Sequence, residues 1–154
     1  MARAATILIA EDEEDDLFLF RRAFARAKLA HSLQVATDGE QVLAYLQGKG
    51  PYTDHAACPS PDLIILDLNM PKMTGFQVLE WLRSSPEFSR IPVCVLSGLE
   101  FGDLKKRAAD LGARDYYVKC ADTDEFTNII RSLCEKWIQD GSSAEGQTNP
   151  PGVS

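Results

Sequence analysis

With 154 residues, 45% of them hydrophobic and 25% charged, the chain has the size and composition of one domain with a substantial buried core. A net charge of -7 argues against direct binding to nucleic acid or to an anionic membrane, since both attract basic patches. No apolar run approaches the roughly 18 residues of a membrane span. Met1 to Thr6 is too short and too little apolar for a signal peptide, so a cytoplasmic protein is expected.

Apolar runs bounded by turn residues alternate with segments of helical period, the order of strand–helix units around a parallel sheet. Strands are predicted near 5–10, 33–37, 62–67, 92–97 and 115–118. Leu17, Phe20, Phe24 and Ala27 place a first helix over about 15–30. Val42, Leu43 and Leu46 mark a short second helix, entered at Asp38-Gly39 and ending near Gly48. The stretch from Gly48 to Pro61 is rich in glycine and proline and reads as a surface loop. Phe76, Leu79, Trp81 and Leu82 mark the third helix, which ends before Pro86. Glu100 to Leu111 is a fourth helix, weakly apolar for its length and stopped by Gly112. Phe126, Ile129, Ile130, Leu133, Cys134, Trp137 and Ile138 give the fifth a broad apolar stripe, with Asp122 or Thr123 as its cap. The domain is expected over residues 5–140, followed by a disordered tail, 141–154, with two adjacent prolines and no apolar periodicity.

Four of the apolar runs end on a reactive polar residue. Thr6 to Ala10 runs into Glu11-Asp12, Leu63 to Leu66 into Asp67, Val93 to Leu96 into Ser97, and Tyr116 to Val118 into Lys119. In an open parallel sheet the carboxyl ends of the strands share one edge, and ligands bind in the crevice outside it. Three carboxylates, a hydroxyl and an amine in such a crevice suit a divalent cation and a phosphoryl group, and suit an apolar ligand poorly. Glu14, Asp15 and Asp16 are read differently, as acids that complement the dipole of the first helix. A carboxylate at the end of a strand buried on both faces is either a paired structural group or a functional one. The turn Leu68-Asn69-Met70-Pro71-Lys72-Met73-Thr74-Gly75 leaves Asp67 at the edge, with the Asn69 carbonyl free to reach a metal. Asp67 is chemically suited to attack phosphorus, since carboxylates form aspartyl-phosphate intermediates. Cys58, Cys94, Cys120 and Cys134 form no CxxC pair and read as free thiols. No metal role is expected for His31 or His55.

The acidic pair, the stretch Pro61 to Gly75 around Asp67, Ser97, and Gly112 to Lys119, at these intervals, resemble the receiver domain of bacterial two-component response regulators from about Thr6 to Asp140. The resemblance implies a doubly wound α/β fold of the flavodoxin-like type, five parallel strands in order 2-1-3-4-5 with five helices. It implies that Glu11 and Asp12 hold Mg²⁺ together with Asp67 and the Asn69 carbonyl. It further implies that Asp67 accepts a phosphoryl group from a histidine kinase, that Lys119 contacts it, that Ser97 moves toward it, and that Tyr116 turns inward as Ser97 moves. The signal would pass to a downstream protein, with no turnover of external substrates. The chain departs from the family at Cys120, where receivers usually carry a proline after a cis bond; a cis bond before a non-proline residue costs roughly 2.5–4 kcal/mol, which leaves a strained loop or a trans path. The long loop before the third strand, the acidic opening, the stretch Ser85 to Pro92 and the absence of an output domain resemble the small regulators served by bacterial phytochrome-type kinases. Those relatives commonly pair through their fourth and fifth helices or C-terminal arms, so a homodimer is implied too. Two rivals stand beside this reading. One is a Mg²⁺-dependent phosphohydrolase acting through Asp67, weakened by Asn69 where such enzymes carry a second aspartate. The other is a binding module that works without phosphorylation, suggested by Cys120.

Overall fold

The computed structural model describes residues 4–98, 102–120 and 122–138. Among them, β1 (Thr6–Ala10), β2 (Ser32–Ala36), β3 (Leu63–Leu66), β4 (Val93–Ser97) and β5 (Asp115–Val118) form one parallel sheet in the order β2-β1-β3-β4-β5. The helices are α1 (Glu14–Arg26), α2 (Gly39–Gln47), α3 (Gly75–Arg83), α4 (Gly102–Asp110) and α5 (Thr123–Trp137). The parallel sheet is what the alternation of strand and helix patterns predicts, and the doubly wound order is the one the family resemblance implies.

The three central strands are buried throughout, and their side chains alternate between two cores. Ile7, Ile9, Leu63, Ile65, Cys94 and Leu96 face α1 and α5, where they meet Phe20, Phe24, Phe126, Ile130 and Leu133. Leu8, Ala10, Ile64, Leu66, Val93 and Val95 face the other way, toward Val42 and Tyr45 of α2, Val78, Leu79 and Leu82 of α3, and Ala108 of α4. Each fully buried leucine or isoleucine adds roughly 1.5–3 kcal/mol, and both faces of the sheet carry them.

Helix ends follow local chemistry. Asp38 caps α2 by accepting from the Gln41 N–H (2.8 Å), Gly48 ends that helix at φ 67°, and Asp122 caps α5 by accepting from the Glu125 N–H (3.0 Å). The first helix is shorter than the predicted 15–30. Lys28, at φ 58°, donates its N–H to Ala25, and Leu29 donates to Phe24 (both 3.1 Å), which closes α1 with a Schellman turn built on a lysine. The loop after α2 carries one unpredicted turn of 3-10 helix, Gly50–Tyr52. It is tied down by the Tyr45 hydroxyl, which donates to the Pro59 carbonyl (2.7 Å), and by the Tyr45 and Tyr52 rings 5.2 Å apart.

The fourth helix is attached differently from the rest. Ala108 is its one buried residue, so apolar packing holds it weakly. Two arginines bind it to α3: Arg107 of α4 lies over the Phe76 ring, 4.0 Å from its centroid, and Arg83 of α3 donates to the Asp110 carbonyl (3.0 Å). Residues 99–101, where the helix was expected to begin, lie outside the described residues, as does the tail 141–154. The Lys119–Cys120 bond takes the trans path.

Candidate functional site

The register of the sheet decides which side chains meet. Ala10 pairs with Leu66, and Ser97 pairs with Val118, so the residues that follow leave the sheet at one edge. Main-chain bonds hold them there. Glu11 donates to Ala36 (3.0 Å), Asp67 to Ala10 (3.1 Å) and Lys119 to Ser97 (2.8 Å). A cleft of about 410 Å³ opens at that edge, lined by Asp12, Asp16, Asp67, Asn69, Ser97 and Lys119 with their neighbours. Glu11 stands behind them, fully buried.

Carboxylate oxygens of Glu11, Asp12 and Asp67 lie within 4.8 Å of one another. Such crowding raises the energy of the ionised groups unless a cation intervenes, and hard oxygen donors at this spacing fit a small divalent ion. Lys119 supplies a cation from the protein itself. Its Nζ donates to Glu11 Oε1 (2.6 Å), Asp16 Oδ2 (2.7 Å) and Asp67 Oδ2 (3.3 Å). Burial pushes the Glu11 carboxyl up to about 7, with the Asp67 charge adding to the rise, while the hydrogen bonds from Lys119 and from the Glu13 N–H draw it down. Burial works against the Lys119 ammonium, yet the bonds to Asp16 and Glu11 and the Asp67 charge outweigh it and hold the proton more firmly than usual.

Around Asp67 the loop is shaped by backbone contacts. The Asn69 N–H donates to Asp67 Oδ1 (3.3 Å), and Lys72 takes a left-handed φ of 67°. Gly75 donates to the Leu68 carbonyl (3.0 Å), and Thr74 then starts α3 through a capping box with Gln77. A Cβ on Gly75 would stand 2.6 Å from the Asp67 carbonyl oxygen and 2.7 Å from Leu68 Cα, both main chain. Gly75→Ala is therefore expected to push back the loop that carries Asp67 and to cost about 1–3 kcal/mol. Urea unfolding will show this as a lower midpoint at unchanged slope.

Ser97 is fully buried at the end of β4, and its side chain hydrogen-bonds Tyr116. Tyr116 is half-buried against the α2–α4 core, and burial raises its hydroxyl above the ordinary range. It is thus already joined to Ser97 and is more than a strand aromatic facing solvent. Of the candidate site residues, Glu11, Asp12, Asp67, Asn69, Ser97 and Lys119 meet at this edge, and Tyr116 is linked to it through Ser97. One that was assigned elsewhere joins them: Asp16, read as a dipole-complementing acid of α1, also accepts from Lys119. The signal for it was its place in the first turn of the helix that springs directly from the acidic pair.

The response regulator receiver domain family matches residues 7–131. Response regulator Rcp1 of Synechocystis sp. is 30% identical over 133 residues, covering 86% of this chain and 88% of that protein. Its Mn²⁺-bound crystal form superposes with a TM-score of 0.76 over 88% of this chain and 95% of that one. The phosphorylated cyanobacterial phytochrome response regulator RcpA is 34% identical, with a TM-score of 0.79 over 89% of this chain and 96% of that one. A response regulator in red light signaling of R. palustris is also 34% identical, with a TM-score of 0.83 over 88% and 94%.

Proposed function

This chain belongs to the response regulator receiver domain family, a phosphoacceptor module of two-component signalling, and we propose that Asp67 is its acceptor. The observation that carries this reading is the gathering of the Glu11, Asp12 and Asp67 oxygens within 4.8 Å, with Lys119 bonded to two of the three.

A carboxylate oxygen of Asp67 attacks the phosphorus of a phosphohistidine. An O–P bond forms as the N–P bond breaks, and the imidazole nitrogen keeps the electron pair and takes up a proton. Glu11, Asp12, Asp67 and the Asn69 carbonyl would hold Mg²⁺, and the bound ion would offer positive charge to the phosphoryl oxygens. Lys119 and Ser97 donate to those oxygens, each charge-assisted contact adding on the order of 1.5–3 kcal/mol. Ser97 does so by turning its hydroxyl toward Asp67, and the Tyr116 ring, its present partner, follows. A phosphoryl group brings about -1.5 to -2 charge, and its draw on Ser97 and Lys119 biases the surface formed by α4 and β5.

A divalent cation is supported by the acidic cluster and by the Mn²⁺-bound form of Rcp1; magnesium is the ion we assign. A phytochrome-type histidine kinase is the proposed donor, supported by the likeness to RcpA. The output is contact with a downstream protein, and the groove of about 230 Å³ between α4 and β5 supports that surface, or pairing of two copies across it. Receiver domains are generally not turnover enzymes. No helix among the described residues is long and apolar enough to cross a membrane, and a cytoplasmic location and a receiver domain over 5–140 complete the proposal.

Incubation with Mg²⁺ and a small acyl phosphate, followed by intact mass measurement, tests the reading. One added phosphoryl group is expected, and none once a chelator is present. An unmodified chain in saturating magnesium would overturn it.

A further inference from the structure

We propose that Asp16 is a positioning residue for phosphoryl acceptance, holding the Lys119 ammonium so that its remaining N–H faces Asp67, a role that rests on the reading of Asp67 as acceptor. An ammonium has three donors and no acceptor. Here each donor meets one carboxylate, Glu11 at 2.6 Å, Asp16 at 2.7 Å and Asp67 at 3.3 Å. The two short bonds run to side chains that keep their chemistry during the reaction. The long one runs to the carboxylate that changes. Phosphorylation of Asp67 then exchanges a single bond, from the Asp67 oxygen to a phosphoryl oxygen, while Glu11 and Asp16 keep the head of the lysine in place.

Without Asp16 the flexible four-carbon stem loses one of its two anchors. Glu11, wholly buried behind the cleft, becomes the sole short partner and draws the ammonium inward. Asp16 also carries a charge of its own, which repels any anion entering the cleft it lines. Its effect through Lys119 and its direct effect on a phosphoryl group therefore have opposite signs, and this separates a positioning role from a general electrostatic one.

The test is a double-mutant cycle on the full chain in saturating magnesium, with beryllofluoride as phosphoryl mimic and calorimetric titration as readout. Asp16→Ala is expected to weaken beryllofluoride binding roughly tenfold when Lys119 is present. In a Lys119→Ala background the same replacement should leave binding unchanged or tighten it. Asp16→Asn, which keeps an oxygen acceptor, should lose only roughly threefold. Equal weakening in both backgrounds overturns the proposal, as does unchanged or tighter binding by Asp16→Ala in the native background. Where circular dichroism shows Lys119→Ala unfolded in magnesium, the two Asp16 variants decide, and equal losses overturn the proposal. Failure of the native chain to bind beryllofluoride is a different result, since it removes the acceptor role of Asp67 and Asp16's role along with it.

Discussion

Asp67→Asn will abolish phosphoryl acceptance and, in the metal-free protein, raise the melting temperature. The first effect follows from the chemistry: an amide oxygen forms no stable phosphoryl ester, and no other carboxylate in the cleft shares the position of Asp67 against both Lys119 and the Asn69 N–H. Labelling by acyl phosphate or kinase should fall to background. The second follows from crowding. Asp67 is nearly buried beside Glu11 and adds to the rise of the Glu11 carboxyl, so removing its charge relieves repulsion. The Lys119 bond that is weakened is the longest of three. A gain of about 1 kcal/mol is expected, the common size for replacements that relax a site strained for function. Calorimetry with a chelator present will read it, and a lower melting temperature would mean that attraction to Lys119 exceeds the repulsion.

Lys119→Ala should be the most destabilising replacement in the cleft, and the one most fully reversed by metal. It leaves Glu11, without exposure to solvent, and Asp67, nearly without, lacking the cation between them. Removing one partner of a buried ionic cluster costs roughly 3–5 kcal/mol. A divalent ion can restore the lost positive charge, and an ion that binds the folded state alone stabilises it by mass action, about 2.7 kcal/mol at a hundredfold excess over its dissociation constant. Denaturant curves with chelator and with magnesium should thus differ far more for Lys119→Ala than for the native chain. Equal shifts in the two proteins would mean that ammonium and metal do not share the same carboxylates.

The strand pattern carried most of the fold because the central strands are buried on both faces, which makes runs such as Leu63–Leu66 conspicuous. The site was legible for a related reason: a polar residue directly after such a run must emerge where the strand ends. Positions set by single backbone angles were harder to see. The first helix was drawn too long because its left-handed terminator is Lys28, where composition gives no sign, whereas Gly48 announces the end of α2. The turn at Gly50–Tyr52 depends on a hydroxyl reaching Pro59 from another element, a contact without local signature. The path after Lys119 was open because Cys120 replaces the expected proline, and the backbone goes trans while still delivering Lys119 to the acids. Asp16 reads as part of its helix alone: its place in the first turn after the acidic pair brings it near the edge, but the lysine it meets is 103 residues away in sequence.

The two arginine clasps between α3 and α4 bear on the inner energetics of the molecule. A segment anchored by one buried alanine, the half-buried Leu104 and a pair of surface contacts sits at the low end of the opening free energies that a domain spans, while the fully buried β3 and β4 sit at the high end. Amide protons of Leu104 to Asp110 will exchange with solvent long before those of Leu63 to Leu66. Reshaping that corner of the molecule is therefore within reach of the few contacts available at the cleft, and the sheet need not yield at all.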